Sequence, residues 1–462
     1  MVSQLVAWFT TFFVVRLLTP QDFGLFSMAI SYYAILETFH DFCLGHALLQ
    51  KKDLTDDDLN GCFWLVMILS CFFYCISYYL AGPIAHFYNS DELIFLIRLM
   101  CVGILFQGVM IVPYWVLTKK LDFEKRAKST LFSGLISSVL CLVVAVMGYG
   151  IWALVIRFMC RHFLLTFFIY VFYPWVPKFQ FNFKRMIPLV KYGLNVTGER
   201  AFDLVSRKVD IIIIGKVLGK ELLGYYSVAV QLSRMPLNKV VSIVNQISFP
   251  VFSELQDNPE ALSKYFLKIT HLIGFFSFPV LLGAVFTAKE LIVLFLGVKW
   301  LPMVTIFQIL CAVALFQTLF GIVSALNKAV NKPHLNFRFN LCLSILVAIF
   351  IFIGVQFGLI HAVMAWLIVY PILFFITVRL SIKKINLSLA AYIYNLTYPF
   401  VSAVVMVALL FVFQSLVVLE SNFIVLLVNI PLGVFIYALC MYVFSADTIK
   451  DCFALVKELK QK

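Results

Sequence analysis

Residues 335–356 read LNFRFNLCLSILVAIFIFIGVQ, and residues 358–380 read GLIHAVMAWLIVYPILFFITVRL. Arg338 and Arg379 are the only Lys, Arg, Asp or Glu residues in the two runs. A membrane-spanning helix needs about 20 consecutive, mostly apolar residues. Each run meets that length, so the pair predicts two spanning helices joined by a tight turn. Working outward, the same reading gives about fourteen spans. They lie near 2–18, 23–46, 59–81, 92–117, 127–148, 150–173, 186–214, 221–252, 263–287, 302–326, 335–356, 358–380, 391–413 and 421–444. The expected fold class is all-α, a polytopic membrane protein.

Composition agrees. The 462-residue chain is 63% hydrophobic, has a mean hydropathy of +1.00 and is only 13% charged. Soluble domains are about one quarter charged. The connections are short and leave no room for a sizeable soluble domain on either side. The eleven cysteines lie mostly within apolar runs, as at Cys62, Cys71, Cys75, Cys101, Cys141 and Cys311. With no CxxC pair and no Cys/His zinc spacing they read as small apolar side chains, and no metal site is expected.

The net charge of +13 is explained by the loops. The even loops carry Lys51 and Lys52, then Lys119, Lys120, Lys125, Arg126 and Lys128, then Lys178, Lys184 and Arg185. Lys264 and Lys268, then Lys328, Lys332 and Arg338, then Arg379, Lys383 and Lys384 follow. The odd loops hold only Arg16, Lys216, Lys220, Lys289 and Lys299. Cytoplasmic loops collect Lys and Arg, so both termini are expected in the cytoplasm. The cations sit at membrane borders, which argues against nucleic acid. No cleavable signal peptide is evident, and the chain begins almost inside its first span.

The sequence also repeats. RLLTPQDFGLFSMAI at 16–30 aligns with KVLGKELLGYYSVAV at 216–230, sharing Leu18/Leu218, Gly24/Gly224, Ser27/Ser227 and Ala29/Ala229. CVGILFQ at 101–107 aligns with CAVALFQ at 311–317. Six spans separate the paired elements, so the halves share one orientation. Two pseudo-symmetric six-helix lobes follow, with a cavity between them. The expected divisions are an N-lobe at 1–173, a cytoplasmic linker at 174–188, a C-lobe at 189–385, two added spans at 386–446 and a tail at 447–462. That tail alternates apolar and basic residues, as a short helix lying on the inner leaflet would.

Span seven is the anomaly. A central charge costs roughly 2.5–3.5 kcal/mol on insertion, and an apolar residue gains roughly 0.3–0.6. The larger apolar residues from Leu194 to Ile214 therefore offset only about 3–6 kcal/mol, while Glu199, Arg200, Asp203, Arg207, Lys208 and Asp210 are all charged. Asn195, Glu199, Asp203, Ser206 and Asp210 step by three or four and form one stripe. In span eight, Gln231, Arg234, Asn238, Ser242 and Asn245 do the same, with Lys239 beside them. Two adjacent polar stripes point to a shared aqueous cavity or to internal salt bridges locking the lobe. In the first lobe, Glu37, His40, Asp41 and His46 lie on the inner half of span two, Arg98 opens span four, and Arg157, Arg161 and His162 lie along span six.

Several chemistries lack their motifs. There is no Walker A sequence, no HExxH and no GxSxG, and no large outer loop to hold a catalytic site. No enzyme activity and no cofactor are expected.

RLLTPQDFGLFSMA followed by ETFHDFCLGHALLQKKDLT resembles the opening of polysaccharide-export flippases of the Wzx and teichuronic-acid exporter type. These belong to the multidrug/oligosaccharidyl-lipid/polysaccharide superfamily. KVDIIIIGKVLGKELLGYYSVAVQLSRMPLNKV is similar to that family's seventh and eighth spans. The resemblance implies a two-lobed transporter in the bacterial inner membrane. It would carry an undecaprenyl-pyrophosphate-linked oligosaccharide, a repeat unit of O-antigen, capsule or exopolysaccharide, between leaflets by alternating access. The family typically has a basic leader before span one, so further residues are expected ahead of Met1. The resemblance also implies contact with membrane lipids, a coupling proton or sodium ion, and a polysaccharide polymerase complex as partner. Arginine forks match phosphate oxygens. The residues expected to face the substrate are therefore Arg200, Arg207, Arg234 and Lys239, with Asn195, Gln231 and Asn238. Glu199, Asp203, Asp210, Glu37 and Asp41 are expected to balance charge or bind the coupling ion. A drug exporter of the same superfamily would favour carboxylates over these arginines, and a scaffold would leave the charged helices without a purpose.

Overall fold

The computed structural model describes residues 2–40, 44–51, 54–179, 183–235, 248–417 and 421–461. The side chains of 2–9, 44, 46, 183–185, 189, 192, 194–207 and 445–461 lie outside that description. Every regular element among the described residues is helical. Among the described residues ten helices are long and apolar enough to cross a membrane, where about fourteen spans were expected. Packing divides the chain into Met1–Ser227 and Val228–Lys462.

The first unit begins with α1 (Val2–Leu17), α2 (Pro20–His40), α3 (Leu44–Gln50) and α4 (Asp56–Tyr88). α5 (Glu92–Met100), α6 (Val102–Lys119), α7 (Phe123–Val146) and α8 (Trp152–Phe172) follow, and then α9 (Phe183–Arg234), within which the division falls. Local chemistry sets the ends. Thr55 and Asp58 form a capping box at the start of α4, and Lys51 pairs with Asp58 at 2.7 Å. Asn89, in the left-handed conformation, closes the same helix. α9 is broken at Gly219, whose φ of 82° and ψ of −177° suit a residue without a Cβ.

α7 packs along both α1 and α8. Its buried face steps by four through Ser129, Ser133, Ser137, Cys141 and Ala145. Small side chains at that spacing let helix backbones approach closely, which is how helices associate where the solvent is as apolar as the core. Ser133→Leu is expected to overpack this face and cost about 1–3 kcal/mol, read as a lowered melting temperature of the detergent-solubilised protein. An unchanged melting temperature would show that α7 has spare room. The segment after α8, expected as a cytoplasmic linker, docks on α4. The Lys178 amide donates to Asn60 Oδ1 at 2.9 Å, and Trp64 Nε1 donates to the Lys178 carbonyl at 3.0 Å.

The second unit holds α10 (Pro259–Phe286), α11 (Ala288–Phe295) and a 3-10 turn (Val298–Met303). α12 (Val304–Ala329), α13 (Pro333–Gly354), α14 (Leu359–Ile382), α15 (Leu389–Leu416) and α16 (Asn422–Gln461) complete it. α12 is its hub, the most buried of the candidate spans, packed against α10 and α14. The tail, expected to form a short helix on the inner leaflet, is helical to Gln461 as a continuation of α16.

The repeat has a backbone counterpart. The α6–α7 turn places Leu121 at φ 57°, and the α12–α13 turn places Asn331 at φ 56°, 210 residues later. The α7–α8 turn uses Gly148 at φ 82°, and the α13–α14 turn uses Gly358 at φ 109°, again 210 residues later.

Candidate functional site

A half-buried polar network joins three helices of the first unit. Tyr33 and Glu37 are four apart on α2, so they share a face. Phe158 and His162 have the same spacing on α8. Gln107 lies on α6, one turn beyond Gly103. That glycine makes the space: a Cβ there would sit 3.2 Å from the Tyr33 hydroxyl and 3.3 Å from the Phe158 ring. Thr166 and Tyr170 hold α8 to α6 by donating to the carbonyls of Phe106 and Val109, at 3.1 and 3.0 Å.

The hydrogen-bond directions follow from the acceptors. His162 Nδ1 lies 2.9 Å from the Phe158 carbonyl oxygen, which can only accept, so Nδ1 carries a hydrogen. In the neutral imidazole, Nε2 then presents a lone pair. The Gln107 amide nitrogen donates to it at 3.2 Å, and the Tyr33 hydroxyl faces it at 3.3 Å. The same amide nitrogen donates to Glu37 Oε1 at 2.5 Å. Gln107 thus spends both amide hydrogens between a carboxylate and an imidazole. Rings close the surroundings, with Tyr33 edge-on to Phe158 at 4.7 Å and Phe158 against His162 at 4.4 Å.

Of the other residues singled out in the sequence, Asp210 is buried. It accepts the Tyr226 hydroxyl at 2.6 Å, which ties α9 across its own bend. Gln231 and Arg234 are exposed. Asn195, Glu199, Arg200, Asp203 and Arg207 fall on α9 with the helical register read for them, but their side chains lie outside the described ones. Asn238, Lys239 and Asp41 lie outside the described residues altogether. Arg98 stacks over the Tyr78 ring at 4.0 Å, Arg157 is half-buried and Arg161 exposed. Gln107 and Tyr33 carried no functional assignment in the sequence reading. The one signal was Gln107's place in the repeated CVGILFQ motif.

The two copies of the other repeat motif meet. At Gly24 a Cβ would collide with the Lys220 carbonyl oxygen, and at Gly224 with the Pro20 carbonyl oxygen. Gln21 Nε2 reaches Glu221 Oε2 at 3.5 Å, and Lys220 pairs with Glu92 at 2.6 Å. The contact is reciprocal, so each motif supplies both a glycine and a carbonyl.

The model of the family described as "Polysaccharide biosynthesis protein" matches residues 13–305. The chain belongs to that polysaccharide biosynthesis family. It is 28% identical over 364 residues to the teichuronic acid biosynthesis protein TuaB of Bacillus subtilis, covering 78% of this chain and 75% of that one. It is 24% identical over 402 residues to the lipopolysaccharide biosynthesis protein WzxC of Escherichia coli, covering 83% and 79%. Among solved structures it is similar to the lipid II flippase MurJ in an inward closed conformation. The TM-score is 0.78 at 15% identity, over 97% of this chain and 98% of that one. An inward-facing multidrug resistance MATE family transporter gives 0.65 at 13% identity, over 83% and 95%. The fold of this family member is therefore the polytopic helical fold shared with those two structures.

Proposed function

We propose that this family member is a flippase, not an enzyme. Its cargo is an undecaprenyl-pyrophosphate-linked oligosaccharide, carried across the bacterial inner membrane by alternating access. The family match, on a MurJ-like fold spanning nearly the whole chain, carries the reading. The physics agrees: pyrophosphate and glycan cannot enter hydrocarbon cheaply, whereas the lipid tail can stay in it. In this reading both termini are cytoplasmic, as the loop charges require, and a polysaccharide polymerase complex receives the product.

The test is leaflet exchange in proteoliposomes. Purified protein with a fluorescent undecaprenyl-pyrophosphate oligosaccharide is expected to expose the label to an external quencher. Empty liposomes are expected to keep it protected. No protein-dependent exchange, with proton and sodium gradients of either sign, would overturn the proposal. Within the same assay Arg200→Ala and Arg234→Ala are expected to slow exchange about tenfold or more while the protein still inserts. That magnitude follows from losing a charge-assisted hydrogen bond to phosphate. Normal exchange by both would remove these arginines from the anion site.

For coupling we assign a proton to the Glu37–Gln107–His162 network. With both titratable groups deprotonated, the Gln107 nitrogen serves both neighbours, as described above. With both protonated, the amide must turn over so that its oxygen accepts from each. A proton on His162 makes Nε2 a donor, which the Gln107 amide meets by turning its oxygen toward the ring, with the Tyr33 hydroxyl as a second acceptor; a proton on Glu37 leaves its carbonyl oxygen able to accept as before. The orientation of the Gln107 amide then reports the state of His162, a two-state element of the kind alternating access needs.

A further inference from the structure

From residue 291 to 419 the chain contains no Asp or Glu, yet it carries Lys299, Lys328, Lys332, Arg338, Arg379, Lys383 and Lys384. All but Lys299 lie at or beside the α12–α13 turn and the 3-10 turn Lys383–Ile385 that ends α14. α14 packs against both α12 and α13. Ile382 and Ile385 are buried, which leaves Lys383 and Lys384 exposed between them. Burial, with Lys384 and Lys383 nearby, holds the Lys332 ammonium below the usual lysine range.

The repeat-related turn in the first unit shows what balance looks like. There Asp122 caps α7, pairs with Lys125 at 3.0 Å, and is held below the usual carboxylate range chiefly by that lysine. Lys128 pairs with Glu124 at 2.6 Å, Arg126 lies over the Tyr114 ring and Lys120 over the Tyr173 ring. The residue 210 positions after Asp122 is Lys332, a cation at the start of α13, where the helix dipole favours an anion. Among the described residues none of the six second-unit cations at these turns is in an ion pair or over a ring, and Asp257 and Glu260, at the start of α10, pair with none of them. Beside the lysines, Phe337 and Leu380 are half exposed, and the exposed faces of α13 and α14 continue through Ile345, Ile372 and Ile376.

We propose that Lys332, Lys383 and Lys384 form a binding site for the phosphate headgroup of an anionic phospholipid whose acyl chains lie along Phe337 and Leu380. The cations stand at helix ends, where a bilayer presents its headgroups, and the apolar side chains adjoin them. The proposal rests on the membrane-spanning fold and not on the flippase reading. Each lysine is expected to add about fivefold to the preference for an anionic headgroup.

The full chain is purified and incubated with mixed phosphatidylglycerol and phosphatidylcholine, and retained lipid is counted by native mass spectrometry. Wild type is expected to retain phosphatidylglycerol preferentially, with 5 mM inorganic phosphate failing to displace it. The triple variant Lys332→Gln, Lys383→Gln, Lys384→Gln is expected to lose that preference, and a Lys125→Gln, Lys128→Gln control to keep it. Lys332→Asp, which copies the acid of the first-unit turn, is a milder variant expected to lower it as well. Equal retention by wild type, the triple variant and Lys332→Asp would overturn the site. Displacement by inorganic phosphate would overturn the lipid as its occupant.

Discussion

Gln107→Leu is expected to slow glycolipid exchange about 10–100-fold and to flatten its dependence on pH, while leaving the protein folded in the membrane. The substitution keeps the volume on α6 but removes the amide set between Glu37 and His162. A hydrogen bond to a charged group is worth about 1.5–3 kcal/mol, and the loss leaves two half-buried polar groups without their shared partner. Glu37→Gln separates the readings further. An amide preserves the shape but has no proton to release, so exchange driven by a pH gradient is expected to fail while gradient-free exchange persists. The measurement is the proteoliposome assay run with and without a pH gradient. If Gln107→Leu and Glu37→Gln both respond to the gradient as wild type does, the network is a structural clasp and the coupling site lies elsewhere. Melting temperature, measured alongside, keeps a folding defect from being read as a transport defect.

Gly24→Val and Gly224→Val are each expected to abolish export with near-normal membrane insertion. In both places the obstacle is a backbone carbonyl, on Lys220 or on Pro20, which cannot rotate away as a side chain tip would. The overpacking cost falls at or above the upper end of about 1–3 kcal/mol, and the two turns must separate to relieve it. A Gln21→Cys, Glu221→Cys pair reports this directly, because the native side chains touch at 3.5 Å. Cross-linking is expected to be efficient in the otherwise wild-type chain and much reduced when Gly24→Val is added. Full export together with unaltered cross-linking would show that the reciprocal contact has no role in transport.

These two predictions draw on different depths of the sequence. The helical class was legible because lipid leaves backbone groups no partner outside their own segment. That demand writes itself as contiguous apolar runs, as in 335–380. The repeat was legible because Gly24 and Gly224, or Cys101 and Cys311, keep their spacing along the chain. Why glycine recurs was not legible, since each faces a carbonyl about 200 residues away. Glu37 could be picked out as an intramembrane charge, and such residues are costly enough to be informative singly. His162 could be named as well, but its link to Glu37 through Gln107 could not, because Gln107 and His162 lie 70 and 125 positions beyond it.

The sequence by itself therefore determined the helical class, the spacing of the internal repeat and the surplus of cations between 291 and 419. Those properties are local or periodic, and a linear string records them directly. Only the tertiary structure decided that Gln107 links a carboxylate to an imidazole, that the two glycine motifs interlock, and that Lys332, Lys383 and Lys384 share one neighbourhood without a carboxylate. Each depends on distances between helices. Those distances are set by side-chain volume on facing surfaces, as at Gly103 and along Ser129–Ala145, and no single segment carries that information.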